Sequence, residues 1–229
     1  FGISPDYSQS GVNGPSIFPT TSLALRARYQ SAGNLYAQAA ILDGVPGKPG
    51  APRGTYVRFD PQDGWLVATE TGYQATRATN SKERYLKLGV GAWRYTEPLT
   101  ADVNGNPVGA RYSQGFYLIS EAHLYRETAG SAKGLYWFLH YGRAEEKLHQ
   151  IGHYVGGALI YTGLLPGRDE DQLGLGVASA SNGQYFLDAN PGFESRETIW
   201  ELAYRARVTP WLSVQPDIQY VENPGTDPV

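Results

Sequence analysis

The chain has 229 residues and a formal net charge of −3, which allows one large all-β domain or two small ones and implies no general attraction to nucleic acid or anionic membrane surfaces. Charged residues make up 18%, against roughly 25% in ordinary soluble domains, while aromatics reach 13% with 17 tyrosines. Cysteine is absent, which excludes disulfides and thiolate metal sites, and no apolar run approaches the ~18 residues of a transmembrane helix.

From residue 22 onward, short segments alternate apolar and polar side chains. Leu23, Leu25, Ala27 and Tyr29 share one parity, with Arg26, Arg28 and Gln30 on the other. A period of two means a strand, because successive side chains leave a pleated sheet on opposite faces. The segment 34–42 is weaker, with small residues on both parities. Next, Trp65, Val67, Thr69, Thr71 and Tyr73 oppose Glu70, Gly72 and Gln74. Leu86, Leu88, Val90 and Ala92 oppose Lys87, Gly89, Gly91 and Trp93. Phe116, Leu118, Ala122 and Leu124 oppose Tyr117, Glu121 and His123, and Leu135, Trp137, Leu139 and Tyr141 oppose Tyr136, His140 and Gly142. After a weak segment at 154–163, Leu173, Leu175 and Val177 oppose Gln172, Gly174 and Gly176. Trp200, Leu202, Tyr204, Ala206 and Val208 then oppose Glu197, Glu201, Arg205 and Arg207. Thr209-Pro210 leaves room for only a tight turn before Leu212, Val214, Ile218 and Tyr220, which oppose Ser213, Gln215, Asp217 and Gln219. No amphipathic helix interrupts the series. Roughly ten strands of about 8–13 residues predict an all-β antiparallel meander.

The apolar parity faces either a dry core or lipid, and three features bear on the choice. The connections sort by end: 31–34, 75–82, 127–133, 163–171 and the Thr209-Pro210 turn at one end, with 43–63, 96–112 and 181–195 at the other. The short connection at about 145–150 breaks the trend. Outer-membrane barrels pair short turns at one end with long loops at the other. Aromatics on the apolar parity sit near strand ends, at Tyr29, Trp65, Tyr73, Tyr141, Trp200 and Tyr220, where rings with one wet edge form membrane-interface girdles. The polar parity mixes charges with glycine, which a solvent-facing strand gains little from but an open bore can use. Edge backbone groups cannot be left unpaired in hydrocarbon, so a membrane reading needs further strands to close the sheet. The chain contains no methionine and no signal-peptide pattern is read at its start; we expect a single domain over 1–229 that is a piece of a longer protein or a processed form of one.

Four stretches, "SIFPTTSLALRARYQ", "YAQAAILDGVPG", "GLLPGRDEDQLGLGVA" and "ELAYRARVTPWLSVQPDIQYVENPG", resemble the carbohydrate-selective porins of Gram-negative bacteria, the OprB type. The likeness runs from about Ser16 to Gly225. It implies a sixteen-stranded transmembrane β-barrel in the bacterial outer membrane that passes glucose and related sugars by passive diffusion. This chain would supply the later part, lacking the first several strands and the last ones. Family members end on a terminal strand with a C-terminal aromatic, whereas this chain stops at Asp227-Pro228-Val229.

Such a protein needs no chemistry, only a wetted wall that exchanges hydrogen bonds with hydroxyls and releases them. On the parity argument the wall candidates are Arg26, Arg28, Glu70, Lys87, Trp93, Glu121, His123, Glu201, Arg205 and Asp217, with cross-wall ion pairing as the competing role for each. Small sugars and outer-membrane lipid are the expected partners; no nucleic acid, cofactor, metal or catalytic residue is expected, and the oligomeric state is open. "PGRDEDQLGLG" lacks the alternating oxygen ligands of a calcium loop and reads as a charged turn in which Arg168 pairs with a carboxylate. His149 and His153 would share a face only on a helix, and no adjacent carboxylate completes a metal triad. "GKPGAPRG" is too short for a triple helix and reads as an extended external loop. No nucleophile elbow, phosphate loop or dinucleotide fingerprint appears. The rival from another class is a soluble β-sandwich or jelly-roll carbohydrate-binding module, with the apolar parity in a core.

Overall fold

The computed structural model describes residues 4–47, 60–75, 85–128 and 131–227. Alternating β-branched, aromatic and polar residues form an antiparallel sheet in which each strand pairs with its sequence neighbour. A four-residue helix, α1 (Pro5–Ser8), precedes β1 (Ala24–Gln30), β2 (Leu35–Asp43), β3 (Trp65–Gln74), β4 (Leu86–Ala101) and β5 (Pro107–Arg126). Then follow β6 (Gly134–Ala144), β7 (Ile151–Thr162), β8 (Gln172–Asn182), α2 (Gln184–Ala189), β9 (Arg196–Thr209), β10 (Leu212–Val214) and β11 (Asp217–Glu222). The last expected strand is split: β10 and β11 both pair with β9, because proline at 216 cannot donate to the ladder. The hairpin turn before it is Pro210-Trp211, one residue later than the alternation suggests.

The β4–β5 connection differs from the long loop expected at 96–112. Both strands run on past the β3 edge as a projecting hairpin, with a turn at 102–106. The Arg94 guanidinium lies over the Tyr112 ring at 4.1 Å, and Asp102 accepts the backbone N–H of Asn104 and Asn106 at 2.8 Å each. The hairpin therefore carries its own cross-strand and turn contacts. The segment "GKPGAPRG" lies largely outside the described residues.

The register makes the two faces unambiguous. One row runs Arg28, Gln38, Glu70, Gly91, Tyr117, Gly142, Tyr154, Ala180, Glu197 across β1 to β9. The adjacent row on the opposite face runs Tyr29, Ala37, Thr71, Val90, Leu118, Tyr141, Val155, Ser179, Thr198. Burial is inverted relative to a soluble sheet. On the apolar face Leu88, Leu202 and Val214 remain 46%, 48% and 51% exposed, while on the polar face Trp93, Tyr117 and Glu70 are 2%, 1% and 3% exposed. Leu66, Ala68, Trp93, Tyr95, Tyr117 and Ala144 form the buried core on the polar face, with Tyr7 from the 4–15 segment packed onto it. Among the described residues the sheet is open, with β1 at one edge and β10 and β11 at the other.

Candidate functional site

All ten residues singled out from the alternation share the polar face by register. They fall into three groups. In the first, Arg26 donates to Gln38 Oε1 at 2.5 Å and Gln38 donates to Glu70 Oε1 at 3.0 Å. Tyr36 and Tyr117 donate to the two Glu70 oxygens at 2.8 and 2.7 Å. Arg28 lies over the Tyr36 ring at 4.7 Å and donates to Gln74 Oε1 at 2.6 Å. Glu70 is thus a hub joining β2, β3 and β5, and its carboxylate is nearly enclosed.

In the second group, near the ends of β4 and β5, Glu121 accepts from Tyr85 at 3.1 Å and Tyr136 at 2.9 Å, with Lys87 Nζ 3.6 Å away. The His123 ring meets Tyr136 edge-on at 5.4 Å. The third group lies across β8, β9 and β11, where Glu201 accepts from Gln219 Nε2 at 2.9 Å and Arg205 and Asp217 are exposed. Beside it is a recess of about 330 Å³ floored by Gly174, Gly176 and Ala178 and flanked by Tyr154, Glu201 and Arg205.

The glycines of this face have two different meanings. A Cβ at Gly91 would stand 2.1 Å from the Tyr117 ring directly across the ladder, so glycine there lets the ring lie flat on the wall. At Gly174 and Gly176 the nearest atoms to such a Cβ are 3.8 and 3.6 Å away, so a side chain there would meet only ordinary contacts and no clash requires glycine.

Residues 4–15 carried no assignment from sequence, yet they cover part of the wall. Tyr7 stacks on Trp93 with centroids 4.7 Å apart and planes within 2°, so Trp93 lies under a protein ring rather than facing open water. Ser10 Oγ donates to Tyr95 Oη at 3.2 Å, the Gly11 N–H to Ser113 Oγ at 3.0 Å, and Gln9 Nε2 to the Ile151 carbonyl at 2.8 Å. Gly11 has φ of +67° and its α-carbon sits against Tyr95, a pairing of left-handed backbone and close approach that only glycine meets without strain. Asp6 is fully buried beside Gly142 and accepts from Ser4, and burial pushes its carboxyl above the usual range. His149 Nε2 lies 2.8 Å from Ser113 Oγ, and burial pushes its imidazole down to about 4. His153, by contrast, is exposed on the apolar face of β7, so the two histidines do not converge.

The charged turn at 163–171 is an ion-pair knot. Arg168 Nε meets Asp171 at 2.6 Å, Arg207 meets Glu170 at 3.0 Å, and Lys133 bridges Asp169 and Glu127 at 3.0 Å each. Asp171 also accepts from Tyr204 and from the Arg207 backbone N–H at 2.9 Å. The Tyr204 hydroxyl is the largest cause holding this carboxyl below its usual range, with the Arg207 N–H and Arg168 adding to it and desolvation opposing. Among the described residues no three His, Asp or Glu side chains gather as a metal site.

A sheet whose greasy side is exposed and whose charged side is partly enclosed is the reverse of a soluble sandwich. The model of the carbohydrate-selective porin, OprB family, matches residues 1–227. The chain belongs to that family. Porin B of Pseudomonas aeruginosa is 24% identical over 238 residues, covering 91% of this chain and 52% of that protein. The high-pH structure of OprB of Pseudomonas putida superposes with a TM-score of 0.71 at 21% identity, covering 92% of this chain and 56% of that one. The chain thus spans about half the length of these relatives. The OprB fold accounts for the all-β antiparallel sheet, and the soluble-module reading is not favoured.

The alternation placed the charged residues on the polar face but gave no account of Tyr7, Tyr36, Gln38, Tyr95, Ser113 and His149. One signal for Tyr36 and Tyr117 was present: each stands on the polar parity opposite a glycine, Gly72 and Gly91. An aromatic ring can lie over a cross-strand glycine. Tyr7 and His149 lie outside the strands and had no such signal.

Proposed function

We propose that the polar face is part of the wall of a water-filled barrel in the bacterial outer membrane, through which glucose and related small sugars diffuse passively. Further strands of the longer protein close the sheet between β1 and the β10/β11 edge. The observation that carries this reading is the inverted burial, with Leu88, Leu202 and Val214 about half exposed on the apolar face while Trp93, Tyr117 and Glu70 are buried on the polar one. Apolar strands of that kind are at equilibrium against lipid, not water.

Arg26, Arg28, Lys87, Glu121, His123, Glu201, Arg205 and Asp217 act as the hydroxyl-exchanging wall. Glu70 and Trp93 act one layer behind, locking the sheet and the 4–20 segment that narrows the bore. Paired donors and acceptors suit adjacent sugar hydroxyls, and their mutual pairing keeps any one sugar contact weak enough to release. Liposome swelling with the full-length protein tests this. Fast entry of glucose with slow entry of a trisaccharide is expected; equal swelling rates for both, or none above protein-free liposomes, would refute it.

A further inference from the structure

The apolar face is nearly free of charge, and its exceptions lie at one margin. Among the described strand positions that share that face, the basic side chains are Arg94 on β4, Arg143 on β6, His153 on β7 and Arg196 on β9. Arg143, His153, Ser181 and Arg196 are consecutive partners along the ladder, so they form one row. Arg94 stands two strands from Arg143, whose own partner on β5 is Phe116, itself paired through the ladder to Ala92. All four are exposed and lie at the end that carries the projecting hairpin and the 183–195 connection. Toward the opposite margin the same face carries the uncharged side chains of Tyr29, Tyr73, Tyr161 and Tyr204, the last two bonding Glu127 and Asp171 in the turns beyond.

Nearby acids balance this row only in part. Glu146 meets Arg143 at 3.0 Å, Glu222 shares the face on β11 opposite Thr198, and Asp6 lies behind β7 on the other face. Arg94 is held flat over Tyr112, and Arg196 has no ion pair among the described residues. At the opposite margin the described cations, Arg168 and Lys133, are each held by carboxylates, Asp171 and the pair Glu127 and Asp169. Exposed guanidinium groups on strand positions just beyond an apolar band match a layer of phosphate at that depth, because the planar fork donates to two phosphate oxygens at once.

We propose that Arg94, Arg143 and Arg196 bind the phosphate groups of outer-leaflet lipid at the long-loop rim of the barrel. The inference rests on the membrane reading above. Simple snorkelling of long side chains explains exposure but predicts no preference for phosphate and no difference between the two margins.

The test uses the full-length protein in non-ionic detergent, titrated with bis-phosphorylated lipid A, with its dephosphorylated form and inorganic phosphate as separate arms. Arg94→Gln, Arg143→Gln and Arg196→Gln are compared singly and together, with Lys133→Gln at the opposite end as the charge control. Heat-modifiable migration on gels reports that each barrel is folded. Each substitution should weaken phosphorylated lipid about fivefold and the triple variant about a hundredfold, with Lys133→Gln unchanged. Wild-type affinity in the folded triple variant overturns the proposal, as do equal binding of the dephosphorylated lipid and full competition by inorganic phosphate. If the triple variant fails to fold, the three single variants decide on the same criterion. Failure of sugar uptake with intact lipid binding would count against the proposed function alone.

Discussion

Tyr7 and Trp93 lie face to face, and with the Gln9, Ser10 and Gly11 hydrogen bonds this stack holds residues 4–15 on the polar face. An aromatic pair of this kind contributes about 0.5–1.5 kcal/mol beyond its buried area. Tyr7→Ala in the full-length protein should therefore release the segment without unfolding the sheet, and single-channel conductance should rise. His149 adds a pH dependence to the same region. Its imidazole is held near 4 by burial, against an ordinary 6.5, so the folded state resists a proton that the unfolded chain accepts. Stability from this group is complete above 6.5 and is lost as pH falls from there to about 4, by about 3 kcal/mol. His149→Gln should flatten that part of the profile, measured as the heat-modification midpoint against pH. Asp6 carries the opposite sign: its raised carboxyl favours docking when protonated and costs stability as pH climbs past its ordinary 3.8. Comparing the variant with the parent at each pH isolates the histidine.

The strands were readable because each position declares its own face. Leu202 and Val214 lie on the apolar face of β9 and β10, and both stay about half exposed. Leu202→Arg should impair barrel assembly by roughly 2–4 kcal/mol if it lies near the bilayer midplane, assayed as the folded fraction after refolding into vesicles. Assembly at the parental level would place that face elsewhere. Trp65 and Tyr73 mark the two ends of the apolar face of β3, about 27 Å apart along the strand at a ~3.4 Å rise, comparable with the ~25 Å apolar band of such barrels. The long loop expected at 96–112 is instead strand, because Pro98 and register shifts interrupt the alternation while the β4–β5 ladder continues through them. The 163–171 turn was read correctly as charged, and Arg168 does find a carboxylate, Asp171.

At the scale of the molecule, the polar face is self-paired at one side and open at the other. Glu70 and Glu121 are satisfied by neighbouring strands, whereas Arg205 and Asp217 stand exposed beside the glycine-floored recess. Charge reversal at Glu201 and Arg205 should therefore shift ion selectivity in planar-bilayer recordings of the full-length protein, toward anions for Glu201→Arg and toward cations for Arg205→Glu. Unchanged reversal potentials in both would remove them from the conducting wall. Among the described residues β1 and the β10/β11 edge each pair on one side only, and in hydrocarbon such edges would need partner strands.

By itself the sequence determined the strands and which side of each is greasy, because a period of two is a local property carried by consecutive residues. It left open whether that side met lipid or a core, and tertiary burial places it outside the core. Only the tertiary structure showed that part of the polar face is covered rather than wet. The contacts responsible, Ser10 with Tyr95 and Gly11 with Ser113, join residues 85 and 102 positions apart. No local periodicity encodes a partner at such a distance.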